Sequence, residues 1–215
     1  MILLRRFMFL SLLFTLNACS SLYYGGLEKI GIPKREVMVH RVEKARDTQE
    51  ETKQQFKSAL EQFSALTSFN GGNLEATYKR LNGEYEASVA KASEVRKRIS
   101  DIEDVSEALF TEWQDELNQY SNADLKRSSQ LQLTATKGQY QQLITVMKRA
   151  EAKINPVLAV FKDQVLYLKH NLNAQAIASL KGQLGSIQSD VSSLIAAMEK
   201  SINEANAFIK TMEKQ

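Results

Sequence analysis

A chain of 215 residues is long enough for one domain with a true core or for one extended helical bundle. A net charge of +3 gives no electrostatic case for binding nucleic acid, and a single cysteine excludes an intrachain disulfide. With two prolines and heavy use of Glu, Lys, Gln, Ala, Ser and Leu, the composition suits long helices and argues against a β-rich fold.

The chain opens with Arg5-Arg6 and then a mostly apolar run, Phe7 to Leu16. About ten residues reach ~15 Å as a helix, half of a ~30 Å hydrocarbon core, so a permanent span is not expected. A cationic start, a short apolar run and a small residue, Ala18, at the cut describe a secretory signal peptide. The run ends Leu16-Asn17-Ala18-Cys19, which resembles the lipobox of bacterial lipoproteins. The resemblance implies cleavage before Cys19, a diacylglycerol on its thiol and acylation of the new amino terminus. One acyl chain binds a bilayer marginally; two or more hold it stably. Ser20 follows the cysteine, where enteric lipoproteins kept in the inner membrane carry Asp. The expected location is therefore the bacterial envelope, facing the periplasm, with the outer membrane favoured. Loss of residues 1–18 leaves 26 basic against 25 acidic residues, a near-neutral chain.

Residues 19–32 read as a lipid-anchored tether. Its Leu22, Tyr23, Tyr24, Leu27 and Ile30 suit either the lipid headgroups or the end of a bundle. The remainder, 33–215, reads as a single helical-bundle domain. The first helix is expected over about 33–69, with Pro33 in the first turn. Its inward positions Val42, Ala45, Gln49, Thr52, Phe56, Ala59, Phe63 and Leu66 step three and four residues in alternation, the seven-residue repeat of coiled-coil-like packing. Gln49 and Thr52 are polar members of that seam, placed to fix register or to mark where it meets solvent. Asn70-Gly71-Gly72 stops the helix.

Asn73 can cap a second helix over about 74–119. Its stripe runs Leu74, Tyr78, Leu81, Tyr85, Ser88, Ala92, Val95, Ile99, Ile102, Ser106, Leu109, Trp113, Leu117, Tyr120. A third helix is expected over about 123–170, kinked near Pro156, where proline removes a backbone hydrogen bond and crowds the preceding turn. Its stripe is Leu133, Thr136, Tyr140, Leu143, Met147, Ala150, Ile154, then Val157, Phe161, Val165, Leu168, Leu172. Asn173 can cap a fourth helix over about 174–213, carried by Ile177, Leu180, Leu184, Ile187, Val191, Leu194, Met198, Ile202, Ala205, Ile209 and Met212. The predicted fold is all-α: an elongated antiparallel four-helix bundle with coiled-coil-like heptad packing.

Chemistry-bearing patterns are sparse. The only histidines are His40 and His170. Neither has the Glu three residues earlier that di-iron helical bundles use; Val37 and Tyr167 stand there. No Gly-x-Ser-x-Gly elbow or phosphate-binding glycine loop occurs. Charged residues such as Glu94 and Arg98 pair at helical spacing and read as solvated surface. No catalytic residue, cofactor or metal is expected. Two segments stand out: FTEWQDELNQY over 110–120 and VLYLKHNLN over 165–173. Both are dense in aromatic and amide side chains near predicted helix ends. Trp113 fits the seam, yet Trp and Tyr also concentrate in binding hot spots. Trp113, Tyr120, Tyr167, His170, Asn171 and Asn173 are the candidate partner-binding residues.

CSSLYYGGLEKIGIPKR at 19–35, ALFTEWQDELNQYSN at 108–122 and DQVLYLKHNLNAQAIASL at 163–180 resemble a bacterial family, domain of unknown function 2959, over nearly the whole mature chain. The resemblance implies an exported, helical, coiled-coil-like protein and brings no activity, cofactor or catalytic residue with it. The expected function is that of a lipid-anchored, non-enzymatic envelope scaffold, spacer or adaptor. Its expected contacts are the membrane through Cys19 and an envelope protein, with no nucleic acid; a second copy of the chain is a further candidate. The alternative is a helical bundle that binds a small ligand or lipid in a cavity near Pro156.

Overall fold

A computed structural model describes residues 24–214, apart from 28, 69, 70 and 72. The expected signal peptide, Cys19 and the start of the expected tether lie outside the described residues. All regular structure among the described residues is helical. Five long helices follow in order: α1 (Lys34–Thr67), α2 (Leu74–Glu116), α3 (Ala123–Ala152), α4 (Ile154–His170) and α5 (Ala174–Met212). None of the described helices is long and apolar enough to cross a membrane.

The turns are built by the residues that local chemistry selects. The Pro33 carbonyl accepts the N–H groups of Glu36 and Val37 at the start of α1. Gly71, between α1 and α2, has φ 133°, a conformation that side-chain-bearing residues avoid. Asn73 accepts the Ala76 N–H at 3.0 Å, Asn122 accepts those of Asp124 and Leu125, and Asn173 accepts that of Ala176 at 2.9 Å. Each thereby satisfies N–H groups that a helix start leaves unpaired.

The sequence predicts four helices and the structure has five. The third pattern breaks at Lys153, and α4 starts afresh with Pro156 in its first turn. A missing N–H costs nothing there, whereas in mid-helix it would remove a bond to the carbonyl four residues back. The inward stripe continues across the break: Met147, Ala150, Ile154, Val157 and Phe161 are all buried.

The chain packs as two compact units. Unit 1 takes the start of α1 to Arg41, the end of α2 from Asp101, α3 to Gly138 and the described residues before α1. Its core includes Met38, Ile102, Val105, Leu109, Leu117 and Leu133. Tyr24, on a helical turn at 24–27, joins that core at 2% exposure, with the Arg41 guanidinium 5.4 Å from its ring centroid. Tyr24 is thus packed inside the protein, the second of the two settings open to the tether.

Unit 2 holds Val42–Ser100 and Gln139–Gln215. Every α1 stripe position from Val42 to Leu66 is buried, Gln49 and Thr52 included. The α1–α2 contacts step down α2 as they step up α1: Thr48 with Glu94, Glu51 with Lys91, then Gln55 and Ser58 with Glu84. Phe63 meets Phe161 of α4 edge to face at 6.3 Å. On α5, Asn206 bonds Arg46 and Glu199 lies 3.8 Å from Lys53.

Candidate functional site

The six candidate residues divide between the units. In unit 1, Trp113 is half-buried, and its indole N–H donates to Ser129 Oγ of α3 at 2.8 Å. It ties α2 to α3 as a seam residue does. Tyr120 was expected to continue the stripe, but α2 ends at Glu116 and Tyr120 stands exposed in the turn. One turn before Trp113, Phe110 forms a shallow groove of about 400 Å³ with Glu107, Thr111, Gln114, Asp115 and Lys137. The Lys137 ammonium lies 5.6 Å from the Phe110 ring centroid, within cation–π range.

The other four residues lie at the α4–α5 turn of unit 2. Asn171 Nδ2 donates to the Tyr167 carbonyl at 2.8 Å, tying off an unpaired carbonyl of the last α4 turn. Asn173 is the α5 cap described above. Both amides therefore have local structural duties. Tyr167 is 40% exposed, and beside it Leu166 is 50% and Leu172 38% exposed. Leu172 was expected on the buried stripe; α4 ends two residues earlier at His170, so helical periodicity no longer governs where it points. His170 is exposed on the same turn, and His40 is exposed on α1, in the other unit.

Several charged side chains bind one another. Lys34 meets Glu112 at 2.9 Å and Arg96 meets Glu151 at 2.9 Å. Glu94 accepts from Lys91 and from Arg98, each at 3.2 Å. The Lys91 bond, with Arg98 adding to it, holds the Glu94 carboxyl below the ordinary carboxylate range although burial acts the other way. Glu51, and then Glu94, raise the Lys91 ammonium. These shifts come from ion pairing on a helix surface. Among the described residues no group of three or more His, Cys, Asp or Glu is placed to hold a metal ion.

The exposed leucines at 166 and 172 and the groove at Lys137 escaped sequence reasoning. Leu166 carries one signal: it lies off the 161-165-168 stripe, so a helix there must turn it outward. The groove carries none, because Lys137 and Phe110 come from different helices whose relative register the pattern leaves open.

No curated protein matches the chain, and no solved structure does. A family model described as "Protein of unknown function (DUF2959)" matches residues 23–212, which include all six candidate residues and all five helices. The chain belongs to that family.

Proposed function

We propose that the protein is a lipid-anchored envelope component that works without catalysis, presenting helical surface as a scaffold, spacer or adaptor. The observation that carries this reading is the contrast between a closed inward stripe and the apolar side chains left outside. Val42 to Leu66 of α1 is sealed, whereas Leu166, Tyr167 and Leu172 face solvent together at one turn. Exposed apolar and aromatic clusters on an otherwise polar helical surface favour binding. The leader and Cys19 supply the anchor. The elongated antiparallel bundle expected from the heptads suits a spacer.

Ligand binding is the second reading, favoured by the groove beside Phe110 on unit 1. Complementation of a deletion strain separates it and catalysis from the first. His40→Gln, in unit 1 and outside the candidate partner-binding residues, should fold and complement as the wild type does. Cys19→Ser should lose both palmitate labelling and function. A folded His40→Gln variant without activity would overturn the scaffold reading, and equal palmitate labelling of Cys19→Ser would remove the anchor.

A further inference from the structure

From Gln164 to Ser189 the chain contains no acidic residue. The last two turns of α4 and the turn after it fall in this stretch, as do their three exposed apolar side chains. Lys162 and Lys169 flank Leu166 at helical spacing of four and three residues, so the three share one face. Both lysines are exposed. Asp163 is the one acid on α4; it is exposed next to Lys162, so this surface sets two lysines against one carboxylate.

We propose that the end of α4, through Lys162, Leu166, Tyr167, Lys169 and Leu172, docks on an anionic phospholipid surface. The chemistry of each group fits that occupant. Leucines enter the acyl boundary, a tyrosine ring rests among headgroups with its hydroxyl wet, and lysine stems lie along apolar surface while their ammonium groups reach phosphate. Charge complementarity selects an anionic bilayer over a zwitterionic one, since each lysine near such a surface adds attraction and the two together outweigh the one carboxylate, Asp163, beside them. The stretch 101–122 makes a useful contrast. It carries seven carboxylates and no base, and its exposed Tyr120 would meet an anionic surface with repulsion.

The inference rests on the envelope reading only for the presence of a bilayer. It is tested on residues 20–215, which hold every described residue and lack Cys19, so a failed anchor and a failed surface are read separately. Co-sedimentation with vesicles of phosphatidylcholine and phosphatidylglycerol in equal parts should capture the protein, and pure phosphatidylcholine should not. Lys162→Gln and Lys169→Gln should each weaken binding about fivefold. Leu166→Ser should weaken it as well. Lys126→Gln with Arg127→Gln, exposed on α3, should leave it unchanged. As a second readout, tryptophan emission of Tyr167→Trp should be quenched by brominated acyl chains, and that of the parent, whose one tryptophan is Trp113, should not. Absence of anionic-selective binding overturns the proposal. So does binding that only the α3 variants reduce, or a wild-type dimer that Leu166→Ser converts to monomer, which would make this face a contact between two copies.

Discussion

Within unit 2, the inward stripe of α1 changes character along its length. From Phe56 to Leu66 it is aromatic and aliphatic, and Phe63 is locked against Phe161. From Thr48 to Thr52 it is polar, yet equally sealed: Thr48 is 4%, Gln49 1% and Thr52 0% exposed. The two stretches have one period and nearly one degree of burial, and they differ in what burial achieves. Removing apolar carbon from water drives folding. Removing an amide from water costs free energy unless hydrogen bonds replace those it had to water. Thr52 recovers a bond by donating to the Thr48 carbonyl at 2.7 Å. Gln49 recovers none among the described residues, since both its Nε2 and its Oε1 are buried without a partner. Ser201 Oγ on α5 is in the same condition. The aromatic stretch therefore supplies stability, and the polar stretch, at Gln49, costs it.

The strongest test breaks the aromatic side of this comparison. Phe63→Ala removes a ring that is fully buried against Phe161, and should destabilise by about 3–5 kcal/mol. Urea denaturation followed by circular dichroism measures it. A loss below about 1 kcal/mol would mean that this stretch is not where the stability of unit 2 resides.

Gln49→Leu should move stability in the opposite direction. It replaces an amide without partners by an apolar group of similar volume, and a gain of about 1–3 kcal/mol is expected. Unchanged or lower stability would show that Gln49 is satisfied in solution, for instance by an internal water.

Thr52→Val sharpens the contrast between the two polar residues. Thr52 has its hydrogen bond already, so losing the hydroxyl should change stability by no more than about 1 kcal/mol. The ranking matters more than either value. Should Thr52→Val stabilise as much as Gln49→Leu, the missing partners of Gln49 would not be the cause of its cost.

How far this was legible in the sequence follows from what periodicity measures. A three-four repeat reports which residues of one helix face inward, so Val42 to Leu66 could be named from the chain alone, polar members included. It also shows where a helix cannot continue, as at Pro156, though not that the break falls at Lys153. It does not report what stands opposite. Whether Gln49 finds a partner depends on α2 and α5, and the groove beside Phe110 depends on α3 bringing Lys137 across. Tyr24 was ambiguous for a related reason: a short apolar segment before a helix carries no period, and only Arg41 and the unit 1 core decide its place. At the α4–α5 turn the local rules separate cleanly. Asn173 was legible as a cap because capping is chemistry between near neighbours, whereas Leu172 was misplaced because the stripe was extended past the helix that sustains it.

The smallest expected effect lies at the edge of the polar stretch. Thr48 Oγ1 lies 3.5 Å from Glu94 Oε1, and Glu94 is held by Lys91 and Arg98. The Lys91 bond lowers the Glu94 carboxyl from its ordinary value of 4.5, so the charged form is favoured by folding. Its contribution is present above pH 4.5, and it disappears as pH falls through the lower folded value. Lys91 has the opposite sign. Its ammonium is raised above 10.5 by Glu51, so its share is full below that pH and fades only as alkali passes the folded value. Both shares are thus intact near neutrality. Because the pair is largely solvent-screened, Glu94→Gln should cost under about 1 kcal/mol there, and less in high salt. The difference between wild type and Glu94→Gln in urea should close on acidification. A difference that persists in acid would assign the role of Glu94 to its shape and its contact with Thr48, and would join it to the buried polar stretch instead of the charged surface.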